Sequence, residues 1–197
     1  MHSESFISGS YYHIFNRGVN GEDLFKERKN YYYFLQQYQF YCSDVLETYS
    51  YALLKNHFHM LVYVKETEAI PRKDGNGMYK RDASKQLSHF FNSYAQSINK
   101  AYNRTGPLFE SPFERKQIDD DGYLTAVIYY CHYNPQLHGF VADFKQWEFS
   151  SYQAILNNDQ TFLASQKVLL WFGGRVQFEQ AHLNTYETKD ASKFLIE

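Results

Sequence analysis

Residues 46–64 read LETYSYALLKNHFHMLVYV, two apolar and aromatic runs separated by the polar pair Lys55-Asn56. Such runs around a short polar break predict two antiparallel strands. Side chains two positions apart leave a strand on the same face, so His57 and His59 would point together and could bind one divalent ion. The same pair is also common on half-exposed strands that bind nothing, and spacing alone leaves both interpretations open.

The segments on both sides of these two strands alternate between strand and helix patterns. Residues 11–15 (YYHIF) predict a first strand that ends in the glycine-bearing loop 16–21. Apolar positions at helical spacing over 31–41 predict a helix between the first and second strands. The polar residues 66–82 predict a long mobile loop after the third strand.

The second half of the chain continues this alternation. A long amphipathic helix is predicted up to Gly106-Pro107, followed by a fourth strand over 113–118. The acidic residues 119–121 supply N-cap chemistry for a further helix. We expect Pro135 to end that helix, because proline cannot donate a backbone hydrogen bond.

The order β-α-β-β-α-β-α predicts an α+β protein with a ferredoxin-like antiparallel sheet and helices on one face. We assign residues 1–156 to this domain. Residues 157–197 are predicted to form a helical C-terminal extension, broken at Gly173-Gly174, to which the sequence assigns no function.

The composition excludes several classes of protein. Of 197 residues, 44% are hydrophobic, too many for a disordered chain. No apolar run approaches the roughly 18 residues of a membrane span, and Met1–Ser10 lacks the basic and apolar regions of a signal peptide. Cys42 and Cys131 have no metal-binding or redox spacing, as expected in a reducing compartment. We therefore expect a cytoplasmic protein without membrane contact.

Charge is distributed unevenly along the chain, although the net charge is only -2. Residues 72–116 carry a net charge of +5, whereas residues 1–71 carry -2 and residues 117–197 carry -5. A cationic middle segment could form one electropositive face that attracts polyanions, or it could be an ordinary solvated loop and helix. Aromatic residues make up 19% of the chain, and a few of them could stack on bases.

Tyr130 and Asn134 stand four residues apart on the last predicted helix of the domain, so they share one face. A phenol has a pKa of about 10 and is a poor nucleophile at neutral pH unless a metal polarises its target. Tyr130 is one of 19 tyrosines, so packing is the simpler interpretation from spacing alone. His132 points away from Tyr130 and is expected to be structural or exposed, whereas His13 could neighbour the histidine pair.

Five motifs follow one another along residues 10–156: YHIFNRG at 12–18, YALLKNHFHML at 51–61, GPLF at 106–109, YYCHYNP at 129–135 and WEFSSY at 147–152. In this order they resemble the single-tyrosine HUH transposases, closest to the branch of insertion-sequence and REP-associated tyrosine transposases. Several motifs in the correct order are far more specific than any one of them. The resemblance implies the HUH nuclease fold and favours the metal-binding interpretation of the histidine pair.

The resemblance also implies a metal-dependent transposase that cuts and rejoins single-stranded DNA. His57 and His59 match the family's ligands of a divalent cation, Mg²⁺ or Mn²⁺, and Asn134 matches a further polar ligand. Tyr130 matches the nucleophile, which attacks a phosphodiester to leave a 5′-phosphotyrosine and a free 3′-OH. Tyr129 stands where relatives commonly have a basic residue. Adjacent helix residues point about 100° apart, so only one of the two tyrosines can face the metal, and Asn134 selects Tyr130.

Substrates in the family are single strands that carry short DNA hairpins. The resemblance implies that basic side chains hold the phosphates of such DNA, and that no energy cofactor is needed. The family includes homodimers and monomers, so the sequence leaves the oligomeric state open. The predicted DNA-binding residues are Arg17, Lys80, Arg81, Lys85, Lys100, Arg104, Arg115 and Lys116.

Two other functions stay open at this point. The same fold could serve as a catalytically silent module that binds hairpin DNA, although the intact set of His57, His59, Tyr130 and Asn134 argues against it. A metallohydrolase of another fold could use the His-x-His pair, but such enzymes usually carry further His, Asp or Glu ligands. A covalent adduct between protein and DNA would distinguish the transposase from both alternatives.

Overall fold

Four antiparallel strands form the centre of this computed structural model, which describes residues 5–71, 77–119, 121–159 and 161–187. The strands lie in the order second, third, first, fourth along the chain, which is the ferredoxin-like arrangement. They are β1 (Tyr11–Arg17), β2 (Leu46–Leu53), β3 (His57–Val64) and β6 (Glu114–Ile118), and two short strands, β4 (Ile70–Pro71) and β5 (Met78–Tyr79), pair separately. The predicted α+β class and the pairing of β2 with β3 are confirmed.

Six α-helices accompany the sheet in the described residues, together with short 3-10 helices at Val19–Gly21 and Phe144–Gln146. Residues that satisfy the exposed backbone N–H groups mark where the longer helices begin. A capping box between Glu27 and Asn30 starts the first helix, and the Asp82 carboxylate accepts from the backbone of Lys85 at the start of the second. The helices are α1 (Arg28–Cys42), α2 (Ala83–Ala101), α3 (Asp121–Leu137), α4 (Tyr152–Leu156), α5 (Ser165–Trp171) and α6 (Arg175–Glu187).

The helices divide between the two faces of the sheet. Ile14 and Met60 belong to the core that the sheet shares with α1 and α2, whereas Leu61 packs with α3 on the other face. The sequence predicted helices on one face, and this part of the prediction needs correction for α3. The physical reason is β3 itself, whose residues are apolar or aromatic almost without interruption and are buried on both faces, so both faces need cover.

Pro135 does not end α3, in contrast to the prediction. The helix runs on to Leu137, and the N–H of His138 donates to the carbonyl of Asn134. A proline in the last turn removes only one helical hydrogen bond, and burial of its ring offsets part of that loss. Asp120, one of the three predicted N-cap residues, lies outside the described residues.

Two further boundaries differ from the prediction. The fourth strand of the sheet begins at Glu114 rather than at Phe113. The segment 66–82, predicted as a long mobile loop, contains the antiparallel pair β4 and β5, in which Ile70 lies opposite Tyr79. Residues 72–76, at the tip of this segment, lie outside the described residues.

The described part of residues 157–197 contains the helices α5 and α6, joined to the rest of the chain by irregular structure. Gly173 and Gly174 have positive φ angles of 84° and 121°, which glycine adopts without strain, and they separate α5 from α6. Val168 and Phe178 from these helices share a hydrophobic core with α3 and α4. The division of the chain at residue 156 stays a prediction. None of the described helices is long and apolar enough to cross a membrane.

Candidate active site

The two histidines of β3 point to the face of the sheet that α3 covers. They stand two positions apart, and their ring centroids are 5.3 Å from each other. His57 is 9% exposed and His59 only 2% exposed. The side chain between them, Phe58, points the opposite way into the core under α1 and α2. The alternation of a single strand therefore places both imidazoles on one side, as the sequence predicted.

The last turns of α3 bring Tyr130 and Asn134 next to the two histidines of β3. The ring of Tyr130 makes an edge-on contact with that of His59, with centroids 5.2 Å apart. Its neighbour Tyr129 instead stacks on Tyr133 at 5.5 Å. The amide oxygen of Asn134 lies 3.1 Å from Nε2 of His57. The four residues predicted as a catalytic group thus converge from β3 and α3.

The contact between His57 and Asn134 indicates whether a divalent cation fits. Nδ1 of His57 lies 2.8 Å from the side-chain oxygen of Asn56. That oxygen is an acceptor and makes the shorter of the two contacts of the ring, which favours the tautomer with the proton on Nδ1 and a lone pair on Nε2. This lone pair faces the Asn134 oxygen, which is also an acceptor, and a cation between the two atoms would satisfy both.

The spacing of these two atoms agrees with a shared ion. Two neighbouring ligands of an octahedral cation, each about 2.1 Å from it, lie about 3 Å apart, close to the observed 3.1 Å. The described residues contain no group of three or more His, Cys, Asp or Glu side chains placed to bind one metal. The donor set that fits a cation is therefore two imidazoles and one amide, which leaves room for water or substrate oxygens.

Two further histidines lie beside this group: His13, which the sequence named as a possible neighbour of the pair, and His138, which it did not single out. Nε2 of His13 on β1 lies 3.1 Å from Nδ1 of His59, so one ring donates and the other accepts. His138, one helical turn after Asn134, places its ring 4.7 Å from that of His57. Its spacing of four residues from Asn134 was the sequence signal that could have identified it.

Burial keeps the inner imidazoles neutral. It lowers the pKa of His13 to about 3, and the charge of nearby Lys116 adds to the shift. Burial also holds the pKa of His59 well below its usual value, and the rings of His13, His57 and His138 contribute in the same direction. Only a neutral imidazole can offer a lone pair to a metal ion, so the lowered pKa values favour metal binding at neutral pH.

A cleft of about 510 Å³ opens beside the histidines, over the part of the sheet formed by β1 and β6. The strand register shows which side chains form the floor of the cleft, because residues directly opposite in an antiparallel sheet point to the same face. His57 lies opposite Arg17, His59 opposite Phe15, and Phe15 opposite Glu114. The lining side chains with polar groups are Asn16, Arg17, His57, His59, Glu110, Glu114, Arg115 and Lys116.

Only three of the eight predicted DNA-binding residues line this cleft: Arg17, Arg115 and Lys116. The guanidinium of Arg115 lies over the rings of Phe6 and Phe113, at 4.5 Å and 5.3 Å from their centroids. Arg17 forms an ion pair with Glu110 at 2.9 Å while its side chain stays 65% exposed.

The other five predicted residues lie at the two ends of α2, which packs on the opposite face of the sheet. Lys80, Lys85 and Lys100 are exposed, and Arg81 forms an ion pair with Asp44. The side chain of Arg104 is only 12% exposed and bonds Glu22, Asn99 and the carbonyl of Pro107. Arg104 therefore stabilises the end of α2, and the structure does not bring these five residues to the cleft.

His132 belongs to a second buried cluster, on the other side of α3. Its Nδ1 lies 2.8 Å from Nε2 of His182 on α6, and its Nε2 lies 2.7 Å from Oγ of Ser151. Nδ1 of His182 contacts the carbonyl of Phe178 at 2.8 Å, and the backbone N–H of Tyr51 donates to Oγ of Ser151. The sequence prediction of a structural or exposed His132 is therefore resolved in favour of a structural role.

Comparison with known proteins supports the fold. No protein-family model and no curated protein matches the sequence. Among solved structures, the chain is similar to a REP-associated tyrosine transposase bound to a REP hairpin, with 14% sequence identity and a TM-score of 0.62. The similarity covers 82% of this chain and 87% of that chain. At this identity the similarity establishes that the two proteins share a fold, the one that the sequence motifs predicted.

Proposed function

We propose that the protein is a transposase-like enzyme that cuts and rejoins single-stranded DNA carrying a hairpin. The observation that carries this proposal is the convergence of Tyr130 and Asn134 from α3 with His57 and His59 from β3. The fold shared with a transposase that binds a DNA hairpin supports the substrate class. The basic side chains of the cleft beside the histidines support DNA rather than a small molecule as the ligand.

In this proposal His57, His59 and Asn134 hold one Mg²⁺ or Mn²⁺ ion. When bound, the ion polarises the scissile phosphate and stabilises the charge that develops on it. Asn56 fixes the tautomer of His57 by accepting from Nδ1, and His13 holds the ring of His59 through its Nδ1. Such outer contacts orient the ligands and raise metal affinity.

Tyr130 is the nucleophile. Its phenolic oxygen forms a bond to phosphorus, the bond from phosphorus to the 3′ oxygen breaks, and the phenol loses its proton while the leaving oxygen gains one. The products are a 5′-phosphotyrosine and a free 3′-OH, and attack by a 3′-OH on the phosphotyrosine reverses the step. The exchange conserves the number of phosphodiester bonds, so joining strands needs no energy cofactor.

The test is a denaturing gel with a labelled oligonucleotide that contains a hairpin and unpaired flanks, incubated with Mn²⁺ or Mg²⁺. We expect the unaltered protein to form a covalent adduct and Tyr130→Phe to form none, because the variant lacks the attacking oxygen. Tyr129→Phe is the matched control and should retain the adduct. An adduct that survives in Tyr130→Phe, or is lost only in Tyr129→Phe, would show that the nucleophile is assigned wrongly.

One observation favours the alternative of a silent hairpin-binding module. Tyr130 is 4% exposed and its hydroxyl oxygen is buried, so DNA must displace neighbouring groups before the attack. Tight hairpin binding with no adduct under either metal ion would support the silent module and contradict the enzyme. The same gel, run beside a binding measurement, distinguishes the two.

A further inference from the structure

We infer that the cleft holds one unpaired nucleobase beside the scissile phosphate, stacked on Phe15 and read by Glu114. This inference rests on the proposed function, since it names the part of the DNA strand that the site selects. It assigns a specificity role to two residues that the chemistry of strand cleavage does not use. The base selected is one that carries an exocyclic amino group, in preference to thymine.

The placement of these residues follows from the strand register. His59 on β3, Phe15 on β1 and Glu114 on β6 lie opposite one another across three adjacent strands. Their side chains therefore point to the same face, and adjacent strands are about 4.8 Å apart. A nucleotide whose phosphate lies at the histidines has its base within reach of the two outer positions of this row.

Phe15 has the features of a stacking platform. Its ring is 4.9 Å from that of His13 and 5.8 Å from that of His59, with interplanar angles of 30° and 26°. These contacts hold the ring from one side, while Phe15 itself is half-buried and lines the cleft. A ring that is fixed in orientation and accessible from a cationic groove is the usual support for an unpaired base.

The two carboxylates of the cleft differ in their pairing. Glu110 is neutralised by its ion pair with Arg17. Glu114 is exposed, and its side chain forms no ion pair or hydrogen bond with any other described residue. A free carboxylate repels phosphate, so Glu114 weakens DNA binding unless it meets a hydrogen-bond donor of the DNA.

Bases supply such donors. Adenine, cytosine and guanine each carry an amino group, and a glutamate accepts well from it. An unpaired thymine offers only its N3–H, which stands between two carbonyl oxygens that repel a carboxylate. Glu114 therefore favours an amino-bearing base on Phe15 and disfavours thymine. The positive residues of the cleft hold the backbone, and this row supplies the sequence preference.

The experiment measures hairpin binding by fluorescence anisotropy in the presence of EDTA, so that no cleavage contributes. Single abasic nucleotides, placed one at a time in the unpaired flanks, identify the position whose base contributes to affinity. At that position, 5-methylcytosine and thymine are then compared, because they share shape and methyl group and differ in the amino group. We expect 5-methylcytosine to bind about tenfold more tightly than thymine.

Two variants assign the effect to the proposed residues. Glu114→Gln should abolish the preference for 5-methylcytosine by raising the affinity for thymine and abasic DNA a fewfold but not the affinity for 5-methylcytosine, whereas the exposed Glu68→Gln, outside the cleft, should change neither the preference nor these affinities. Phe15→Leu should remove about tenfold in affinity for every base but not for the abasic DNA. Circular dichroism verifies that each variant is folded.

Equal binding of 5-methylcytosine and thymine by the unaltered protein would overturn the inference, whatever the variants do. So would a uniform gain in affinity of Glu114→Gln for all oligonucleotides, since that would be charge repulsion alone. Neither result bears on whether Tyr130 forms a covalent adduct, which the denaturing gel tests separately. If no adduct forms but the base preference is observed, the proposed enzymatic activity is contradicted. The inferred base-binding site is then still supported.

Discussion

Two buried histidine clusters flank α3, and they differ in how completely their hydrogen bonds are satisfied. On the side of α6, one assignment of protons satisfies both rings: His182 donates to the carbonyl of Phe178, His132 donates to His182, and Ser151, whose Oγ also lies 3.3 Å from the carbonyl of Tyr51, donates to His132. Oγ of Ser151 accepts in turn from the backbone of Tyr51. This cluster joins α3, α6 and β2, and every ring nitrogen of His132 and His182 has a partner.

On the side of β3, the second cluster is incomplete. Nδ1 of His13 and Nδ2 of Asn134 are buried and have no hydrogen-bond partner among the described residues. Nε2 of His57 and Oδ1 of Asn134 face each other at 3.1 Å, and both are acceptors when the His57 proton is on Nδ1. Buried polar groups in native proteins are nearly always paired, so groups left without a partner indicate a site that awaits a ligand. The same residue type therefore stabilises the fold on one side of α3 and belongs to the proposed site on the other.

The largest expected effect is on the free energy of unfolding, which should depend much more on His132 than on His57. His132→Ala should lower the free energy of unfolding by about 3 kcal/mol, because it opens a cavity and leaves the buried Nε2 of His182 without its partner. His57→Ala, the matched control at the site, should cost much less. Urea denaturation followed by circular dichroism measures both, and a larger loss for His57→Ala would contradict the comparison.

The same pair of variants should show the reverse order in metal binding. His57→Ala removes a ligand, and we expect at least a tenfold loss of Mn²⁺ affinity, measured by electron paramagnetic resonance of the free ion. His132→Ala should leave the affinity within about twofold at a temperature where it is folded. Unchanged Mn²⁺ binding by His57→Ala would remove His57 from the ligand set.

Acid should weaken the cluster on the side of α6. Burial lowers the pKa of His182 to about 4. The titratable groups that face it are the rings of His132, Tyr129 and Tyr152, and Asp143 and Lys145 line the same surface pocket. Above pH 6.5 His182 is neutral in both the folded and unfolded states, so it adds no pH dependence. Between pH 6.5 and 4 His182 binds a proton in the unfolded chain but not in the folded protein, so the free energy of unfolding falls.

The slope for one such proton is about 1.4 kcal/mol per pH unit. His182→Gln cannot titrate, so its free energy of unfolding should fall less steeply than that of the unaltered protein between pH 6.5 and 4. Urea denaturation at several pH values gives both slopes. Equal slopes would show that His182 takes up its proton as readily in the folded protein as in the unfolded chain.

The smallest expected effect concerns charge at the mouth of the incomplete cluster. Lys116 lines the cleft opposite His13, whereas Lys85 lies on α2 behind the sheet. Lys116→Gln should weaken hairpin binding a fewfold and reduce the slope of log affinity against log salt by about one. Lys85→Gln should change neither. An effect of Lys85→Gln without an effect of Lys116→Gln would place the DNA on the face of α2. Five of the eight residues that the sequence predicted to bind DNA lie at the ends of that helix.

Much of the fold could be predicted because it depends on local patterns. The alternation in 46–64 was sufficient for β2, β3 and the common face of His57 and His59. The spacing of Tyr130 and Asn134 was sufficient for their common face on α3. The end of α3 and the side of the sheet it covers were predicted wrongly, because a buried Pro135 and the two-sided burial of β3 are consequences of packing.

The basic residues show most clearly where prediction from the sequence stops. Arg104 and Lys116 are equally basic in the sequence, yet one is held by Glu22 and Asn99 at the end of α2 and the other lines the cleft. Composition gave the net charge of the segment that contains them. It carried no information about which face of the sheet each charge occupies.

The sequence by itself determined which side chains share a face within one element, since the periods of strand and helix are properties of the local backbone. Only the tertiary structure decided which faces meet. His57 and Asn134 are 77 residues apart in the chain and 3.1 Å apart across the site, and Phe15 and Glu114 are neighbours only through the pairing of β1 with β6. Contacts between distant segments depend on the packing of the whole chain, which no local pattern encodes.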